Sequence, residues 1–230
     1  MTNCLNKSHF DDENIMEIGI DEAGRGPLFG RVYAAAVILP KDCKTFQYTK
    51  MKDSKKFSSS KKRLEVSNYI KENSIWAISY SDELYIDKHN IRQATLKAMH
   101  NAIQNIFTSN PNIDLNKYYL LVDGNDFKPY TYVKDEILKY VPHLCIEKGD
   151  NHYASIAAAS ILAKVAHDQY IDELCERYPK LNEYYDLKKN KGYGTSAHIE
   201  GINKYGISDW HRKTYNRCKH AQIIPTNNLK

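Results

Sequence analysis

The 230-residue chain lacks the marks of secreted, disulfide-stapled and membrane-spanning proteins. Its five cysteines are odd in number and scattered, with no CxxC pair or Cys/His zinc spacing, which indicates reduced thiols. No apolar run approaches the ~18 residues of a membrane span, and the polar N-terminus has no apolar signal-peptide core. Repeats and low-complexity tracts are also missing. These absences predict a cytoplasmic protein with one main domain, long enough to bury a full core.

The charge excess is modest, at a net +5, and its distribution is more informative than its size. Clustered lysines and arginines are typical either of solvated faces or of a surface that holds a polyanion. The 18 tyrosines add stacking faces that also carry a polar tip. The clusters are Lys50, Lys52, Lys55, Lys56, Lys61, Lys62 and Arg63; Lys188, Lys189 and Lys191; and Arg212, Lys213, Arg217 and Lys219.

The order of apolar patterns predicts an α/β sheet with helices on its faces. We expect a frayed tail over residues 1–14, a catalytic domain over 15–180, and a C-terminal helical extension over 181–230. The Ala-rich helix is expected to pack close to the sheet and to stop at Pro179. Short apolar runs predict strands over residues 16–20, 33–39, 75–79, 118–122 and 144–147, and helical spacing predicts helices over 60–73, 90–107, 155–178 and 195–205.

Acidic residues follow three of the predicted strands. Asp21 and Glu22 follow the first, Asp123 follows the fourth, and Asp150 follows the fifth. Functional groups in open α/β sheets gather outside the carboxyl ends of strands, so these carboxylates are expected to converge. Their repulsion predicts divalent cations, which take oxygen ligands and act on phosphodiesters. The alternative is that each acid only forms a turn or caps a helix, as Asp-Gly at 123–124 and Asp150 allow.

A glycine-rich segment directly follows the first acid pair. Gly24, Arg25 and Gly26 expose backbone N–H groups and permit the close approach of a ligand. Alone, such a segment is typical of a tight turn, and its position beside Asp21 and Glu22 favours a binding role.

These residues belong to a longer pattern. Residues 19–27, GIDEAGRGP, closely resemble the signature of type 2 ribonuclease H, also called ribonuclease HII. Further matches follow in the same order, so the resemblance runs from about residue 16 to residue 215. They are DSKK at 53–56, VDGN at 122–125, KGD at 148–150, SIAAASILAKV at 155–165, KGYGT at 191–195, His198, and His211 with Arg212.

The resemblance implies a ribonuclease H-like fold, with a central mixed five-stranded sheet, and an endonuclease. The enzyme would cut the RNA strand of RNA–DNA hybrids, and would cut 5′ of single ribonucleotides in duplex DNA, leaving 3′-hydroxyl and 5′-phosphate ends. Two Mg²⁺ or Mn²⁺ ions are expected on the metal-site acids Asp21, Glu22, Asp123 and Asp150. The implied substrate-binding residues are Gly24, Arg25 and Gly26, which read the ribose 2′-hydroxyl, Tyr193, which stacks on the sugar, and the supporting residues Lys55, Ser160 and Lys164.

Two segments depart from the family pattern, His167-Asp168 and Lys213-Thr214-Tyr215, and we expect both to affect duplex contacts more than catalysis. Type 3 ribonuclease H is a rival, but it carries an N-terminal domain for which the short leading segment leaves no room. A DNA-junction nuclease on the same fold and a non-catalytic hybrid-binding protein are more distant alternatives. We expect a monomer, no membrane association, and no clear sliding-clamp motif in residues 221–230.

Overall fold

The computed structural model describes residues 5–42, 44–109 and 114–230 of the chain. These residues form a mixed five-stranded sheet flanked by helices, which confirms the predicted α/β class. The strands are β1 (Met16–Ala23), β2 (Val32–Ile38), β3 (Ile75–Ser81), β4 (Tyr118–Asp123), β5 (Thr131–Lys134), β6 (Ile137–Tyr140) and β7 (His143–Ile146). The helices are α1 (Ser60–Asn73), α2 (Glu83–Thr108), α3 (Ala154–Arg177), α4 (Pro179–Tyr185), α5 (Leu187–Asn190) and α6 (Ser196–Tyr205).

The strands of the main sheet lie in the order β3-β2-β1-β4-β7. β2 pairs antiparallel with both β1 and β3, whereas β1 pairs parallel with β4, and β4 with β7. The carboxyl ends of β1, β4 and β7 therefore meet at one edge of the sheet. The small hairpin of β5 and β6 stands apart from this sheet and was not predicted from the sequence.

The two faces of the sheet carry separate apolar clusters. Ile18 and Ile20 of β1 face the cluster that includes the buried side of α2. On the other face, α3 lies against β1 so closely that a Cβ on Gly19 would stand 2.1 Å from the Ser155 carbonyl carbon. The buried alanines of α3 permit this approach, as the sequence predicted. This close packing fixes the position of β1 relative to α3, and both elements supply residues of the candidate site.

Helix α2 begins earlier than predicted. It starts at Glu83, where the Asp82 side chain accepts a hydrogen bond from the N–H of Tyr85. At Asn90 the backbone leaves the helical region, with φ 69° and ψ 164°. The Asn90 side chain accepts from the N–H of Gln93 at 3.1 Å and so acts as a second N-cap. The predicted start near residue 90 was therefore an internal cap between two helical segments that meet at a kink.

Hydrogen bonds attach the N-terminal segment to the rest of the protein from Leu5 onward. The expectation of a frayed tail over residues 1–14 is therefore wrong for much of the part that the structure describes. The Asn6 N–H donates to the His152 carbonyl at 2.8 Å, and the Asn6 carbonyl accepts from Ala154 at 2.9 Å. The Glu17 carboxylate accepts from the backbone N–H groups of His9 and Phe10. The segment thus covers the start of α3 through backbone pairing that no local sequence pattern reveals. Residues 1–4 lie outside the described residues.

The C-terminal region is helical, as predicted. α3 ends at Arg177 and Pro179 is the first residue of α4, while Thr195 caps α6 and Gly206 follows its last residue. Tyr185 and Ile202 pack with Phe29 and Ile171 in a third apolar cluster, so this region is continuous with the core. The division at residue 180 remains a prediction. Within the described ranges, no helix has the length and hydropathy needed to cross a membrane.

Candidate active site

The three predicted acidic positions meet at the carboxyl edge of β1, β4 and β7. Asp21 and Glu22 lie inside β1, opposite Ala35 and Ala34 of β2, and do not follow the strand as expected. The strand is longer because its antiparallel partner continues to pair beyond them. Asp123 is the last residue of β4, and Asp150 lies in a 3-10 turn over Gly149–Asn151, after β7.

Hydrogen bonds fix these carboxylates. Asp21 Oδ1 accepts from the N–H of Glu22 at 2.6 Å, and Asp123 Oδ1 accepts from the N–H of Gly149 at 2.7 Å. The second bond ties the end of β4 to the turn that carries Asp150. That acid does not cap α3, because the residue at the N-cap is Tyr153 and it makes no side-chain cap bond. Helix capping therefore does not account for Asp150.

The cleft concentrates negative charge. Burial, followed by the neighbouring Glu22 and Asp123 carboxylates, raises the pKa of Asp21 well above its ordinary value. Burial also raises the pKa of Glu22 and of Asp123. For Asp150, burial and then the nearby carboxylates of Asp53 and Asp123 raise the pKa. Burial is the largest cause of the raised pKa of all four acids, repulsion between carboxylates adds to it at Asp21, Glu22 and Asp150, and the protein's own cations do not offset the rise.

The structure gathers all eleven predicted site residues around one cleft of about 190 Å³. A larger cleft, of about 910 Å³, lies near Met16 and Ile75, where β1 and β3 begin. We assign the candidate site to the smaller cleft because it contains the converging carboxylates. Its predicted residues are Asp21, Glu22, Gly24, Arg25, Gly26, Lys55, Asp123, Asp150, Ser160, Lys164 and Tyr193.

The loop after β1 forms one wall of this cleft. Gly24 has φ +91°, and a Cβ there would lie 2.5 Å from Cδ2 of His167, so both the backbone conformation and the lack of space disfavour a larger residue. A Cβ on Gly26 would lie 3.2 Å from Cε1 of Tyr193, which brings the two predicted sugar-binding segments together. Tyr193 is 44% exposed and is therefore available to a ligand.

The predicted supporting residues have different surroundings. The charge of Lys55 opposes the pKa rise of Asp123 and Asp150, so its ammonium faces these acids. The Ser160 hydroxyl lies 3.0 Å from that of Ser54 and opposes the pKa rise of Asp21. Sequence reasoning gave Ser54 no role, although it lies within the quoted DSKK motif.

Lys164 is oriented by an ion-pair cluster that sequence reasoning missed. Its Nζ lies 2.7 Å from Asp168 Oδ1, and the same carboxylate accepts from Arg63 Nη2 at 2.8 Å. Burial would raise the pKa of Asp168, but the hydrogen bond from His167 and the pairing with Lys164 outweigh it and lower the pKa. Arg63 and Asp168 are 105 residues apart, so no local pattern could have paired them.

Several basic or polar residues expected at the duplex surface are turned inward. His167, His211 and Arg212 are fully buried, so the expected effect of the His167 departure on duplex contacts is wrong. From the three basic clusters, Arg63 pairs with Asp168 and Lys191 Nζ lies 2.5 Å from Asp172 Oδ1. Burial and ion pairing thus remove at least one cation of each cluster from the set available to phosphates.

The donor set fits hard divalent cations. Among the described residues, no three Asp, Glu, His or Cys side chains converge tightly enough to enclose a metal ion alone. Mg²⁺ ordinarily takes only one or two carboxylates and completes its shell with water and substrate phosphate, so a complete protein cage is not required. Arg25 Nη1 lies 3.2 Å from Glu22 Oε1 and engages one carboxylate. The remaining uncompensated charge would be relieved by cations.

Comparison with known proteins agrees with this geometry. The family model for ribonuclease HII matches residues 18–222. A ribonuclease HII of Parabacteroides distasonis is 43% identical over 201 residues, 87% of this chain and 89% of that protein. Ribonuclease H2 from Pyrococcus horikoshii OT3 aligns with a TM-score of 0.66 at 21% identity, covering 89% of this chain and 96% of that chain.

Bst-RNase HIII in complex with Mn²⁺ aligns with a TM-score of 0.62 at 18% identity, covering 90% of this chain and 68% of that chain. At these identities the two structures show the fold alone, and the ribonuclease H-like fold is confirmed. Nearly the whole chain matches the family model and the curated relative. The chain is a member of the ribonuclease HII family.

Proposed function

We propose that this chain is an endoribonuclease that hydrolyses the RNA strand of RNA–DNA hybrids and incises duplex DNA on the 5′ side of a single embedded ribonucleotide. Membership of the ribonuclease HII family supports the hybrid activity. The observation that carries the proposal is the convergence of four carboxylates from three segments beside a loop with exposed amides and an exposed tyrosine. The first set suits phosphodiester hydrolysis, and the second suits recognition of a sugar.

The four acids Asp21, Glu22, Asp123 and Asp150 would hold two divalent ions, Mg²⁺ or Mn²⁺. The ribonuclease H family is divalent-metal dependent, which supports this choice. When bound, such ions supply the Lewis acidity that activates water and stabilises the departing 3′ oxygen. The attack forms a P–O bond to water and breaks the P–O3′ bond, which leaves a 5′-phosphate and a 3′-hydroxyl.

The chain's own groups orient the substrate. The ammonium groups of Lys55 and Lys164 line the cleft and would face the scissile phosphate, while Ser160 lies against Asp21. The amides between Gly24 and Gly26 would bind the ribose 2′-hydroxyl, the group that separates RNA from DNA. The Tyr193 ring would stack on the adjacent sugar. Direct base readout is not expected, since the shape of the duplex and the 2′-hydroxyl suffice for recognition.

The catalytic assignment is tested by Asp21→Asn and Asp123→Asn in a cleavage assay with Mg²⁺ or Mn²⁺. Both variants should lose turnover while they still bind the duplex, because Asn preserves shape and removes the charge that holds cations. Asn keeps an oxygen that accepts the N–H of Glu22 or Gly149, so misfolding is not expected. Full cutting by both variants would contradict the assignment. Cutting of an all-DNA junction by the parent would favour the rival nuclease.

A further inference from the structure

The guanidinium of Arg212 is a buried hub for the loop that follows β1. The side chain has no solvent exposure, and its donors are all directed to oxygen atoms within hydrogen-bond distance. Five of these acceptors are backbone carbonyls between residues 24 and 31, contributed by a segment more than 180 positions earlier in the chain. The acceptors are the carbonyls of Gly24, Arg25, Pro27, Gly30 and Arg31, together with the Tyr215 hydroxyl.

Turning these carbonyls inward has a consequence for the amides of the same loop. Gly24 and Pro27 are buried, whereas Arg25 and Gly26 are exposed at the cleft. Across the described residues, the N–H groups of Arg25 and Gly26 donate no backbone hydrogen bond. The carbonyls of this loop are thus engaged by Arg212, while the N–H groups of its two exposed, cleft-lining residues have no backbone acceptor among the described residues. Such a surface suits an oxygen acceptor on a ligand.

His211, the residue before Arg212, supports the segment that carries Tyr193 on the other side of the cleft. His211 Nδ1 accepts from the N–H of Ser208 at 3.0 Å, so its Nε2 carries the proton and donates to His198 Nε2 at 3.0 Å. His198 Nδ1 in turn donates to the Tyr193 carbonyl at 3.0 Å. Burial lowers the pKa of both histidines, which fits this neutral relay. One dipeptide therefore braces both the loop at residues 24–31 and the segment of Tyr193.

The arrangement requires arginine rather than a simple cation. Within the described chain, no carboxylate lies within ion-pair distance of Arg212, and burial lowers the pKa of its guanidinium. The charge is instead stabilised by carbonyl dipoles arranged around a planar group. Lysine offers three donors from one point and cannot reach carbonyls spread around a fork of five N–H groups.

We propose that Arg212, assisted by His211, is a positioning residue for sugar selectivity, because it fixes the amides of Arg25 and Gly26 at the distance from Tyr193 that a ribose requires. The inference rests on the proposed function, since it assigns to these amides the ribose of a ribonucleotide-containing duplex. Arg212 itself touches no substrate. Its role would be to keep the loop in the one arrangement that separates ribose from deoxyribose.

The test compares Arg212→Lys and Tyr215→Phe with the parent chain, and uses Arg177→Lys as the matched control. Arg177 is an exposed arginine near the end of α3, outside the cleft. Affinity is measured by fluorescence anisotropy in EDTA for two duplexes, one of pure DNA and one with a single ribonucleotide. The readout is the ratio of the two Kd values, which a loss of folded protein changes little because it affects both affinities together.

One or two hydrogen bonds to the 2′-hydroxyl, at about 1 kcal/mol each, predict a parent preference for the ribonucleotide of about 5- to 30-fold. Arg212→Lys should bring this ratio close to one, and Arg177→Lys should leave it unchanged. Tyr215→Phe keeps the guanidinium but removes the hydroxyl that contacts Arg212 and the Arg25 carbonyl, so it should lower the ratio partially. If Arg212→Lys does not fold, the Kd ratio of the milder Tyr215→Phe variant tests the inference, and an unchanged ratio there contradicts it.

Hydrogen exchange supplies a readout that needs no substrate. The N–H groups of Leu28 and Gly30 donate to the Gly192 and Trp210 carbonyls, so they should exchange faster in Arg212→Lys while α3 stays protected. An unchanged Kd ratio in a folded Arg212→Lys variant would overturn the inference, as would a parent without any preference. Absence of metal-dependent cleavage by the parent would instead contradict the proposed function. The ratio of the two Kd values would still test whether Arg212 positions the loop for sugar selectivity.

Discussion

Replacing Asp21 with Asn should stabilise the fold although it removes activity. Asp21 is 5% exposed, and burial and the Glu22 and Asp123 carboxylates raise the pKa of its carboxyl group well above 3.8. A raised pKa means that the folded chain binds the proton more tightly than the unfolded chain. The stability of the parent therefore falls as the pH rises from 3.8 through the folded pKa, and the penalty is complete above it.

The size of the effect follows from the shift. Each pKa unit corresponds to about 1.4 kcal/mol, and about 1 kcal/mol moves the Tm of a chain of this length by about 2–4 °C. In EDTA at pH 8, Asp21→Asn should therefore melt above the parent, by about 3 °C for each unit by which the pKa is raised, measured by circular dichroism. The difference should shrink as the pH is lowered toward 4, because the parent carboxyl then becomes neutral.

Divalent cations should reverse the order of the two melting temperatures, so that the parent melts above Asp21→Asn. A ligand that binds only the folded state at about 100 times its Kd stabilises that state by about 2.7 kcal/mol. Mg²⁺ or Mn²⁺ should thus raise the Tm of the parent and leave Asp21→Asn nearly unchanged. A variant that melts at or below the parent in EDTA at pH 8 would refute the electrostatic argument. An equal Tm gain with metal in both proteins would refute the role of Asp21 as a ligand.

Substitutions at three further positions have expected outcomes. Asp168→Asn removes the carboxylate that pairs with Lys164 and Arg63 and leaves both cations without it. Above pH 4 the substitution should lower the free energy of unfolding by about 3–5 kcal/mol, which corresponds to a Tm lower by about 10 °C. The loss should diminish as the pH falls through the lowered folded pKa of this acid. Gly24→Ala places a Cβ against His167 at a backbone φ of +91°. It should lower the free energy of unfolding by about 1–3 kcal/mol and reduce incision at a ribonucleotide. An unchanged Tm would contradict the predicted strain. Tyr193→Ala should lower kcat/KM on a single-ribonucleotide duplex about 10-fold or more, whereas Tyr193→Phe keeps the stacking face and should stay near the parent.

Local patterns predicted the elements that pack against one another in a simple way. The five main strands, the Ala-rich α3 and the stop at Pro179 follow from apolar periodicity and from proline chemistry. The extension of β1 through Asp21 and Glu22 was missed because polar residues ended the apolar run. Pairing with β2, a tertiary effect, keeps those residues in the strand.

The candidate site shows the same division between local and long-range information. The positions of Asp21, Glu22, Asp123 and Asp150 follow from the sheet, so strand ends indicated them. The resemblance to ribonuclease HII indicated the other predicted residues that line the cleft, and Ser54 was not indicated at all. The residues that hold them were not accessible in this way. Asp168 reaches Arg63 across 105 positions, and Arg212 reaches Gly30 across 182. The burial of Arg212 was missed because an arginine within a basic cluster is typical of a solvated or phosphate-binding surface.

The most direct test of the account is cleavage of three labelled duplexes by the parent chain with Mg²⁺, Mn²⁺ or EDTA. One duplex is pure DNA, one contains a single ribonucleotide, and one is a full RNA–DNA hybrid. The account predicts metal-dependent cutting of the hybrid, cutting on the 5′ side of the lone ribonucleotide, and an intact DNA duplex. Cutting of the hybrid alone would contradict the junction specificity, and no cutting with either metal would contradict the assignment of the cleft as a nuclease site.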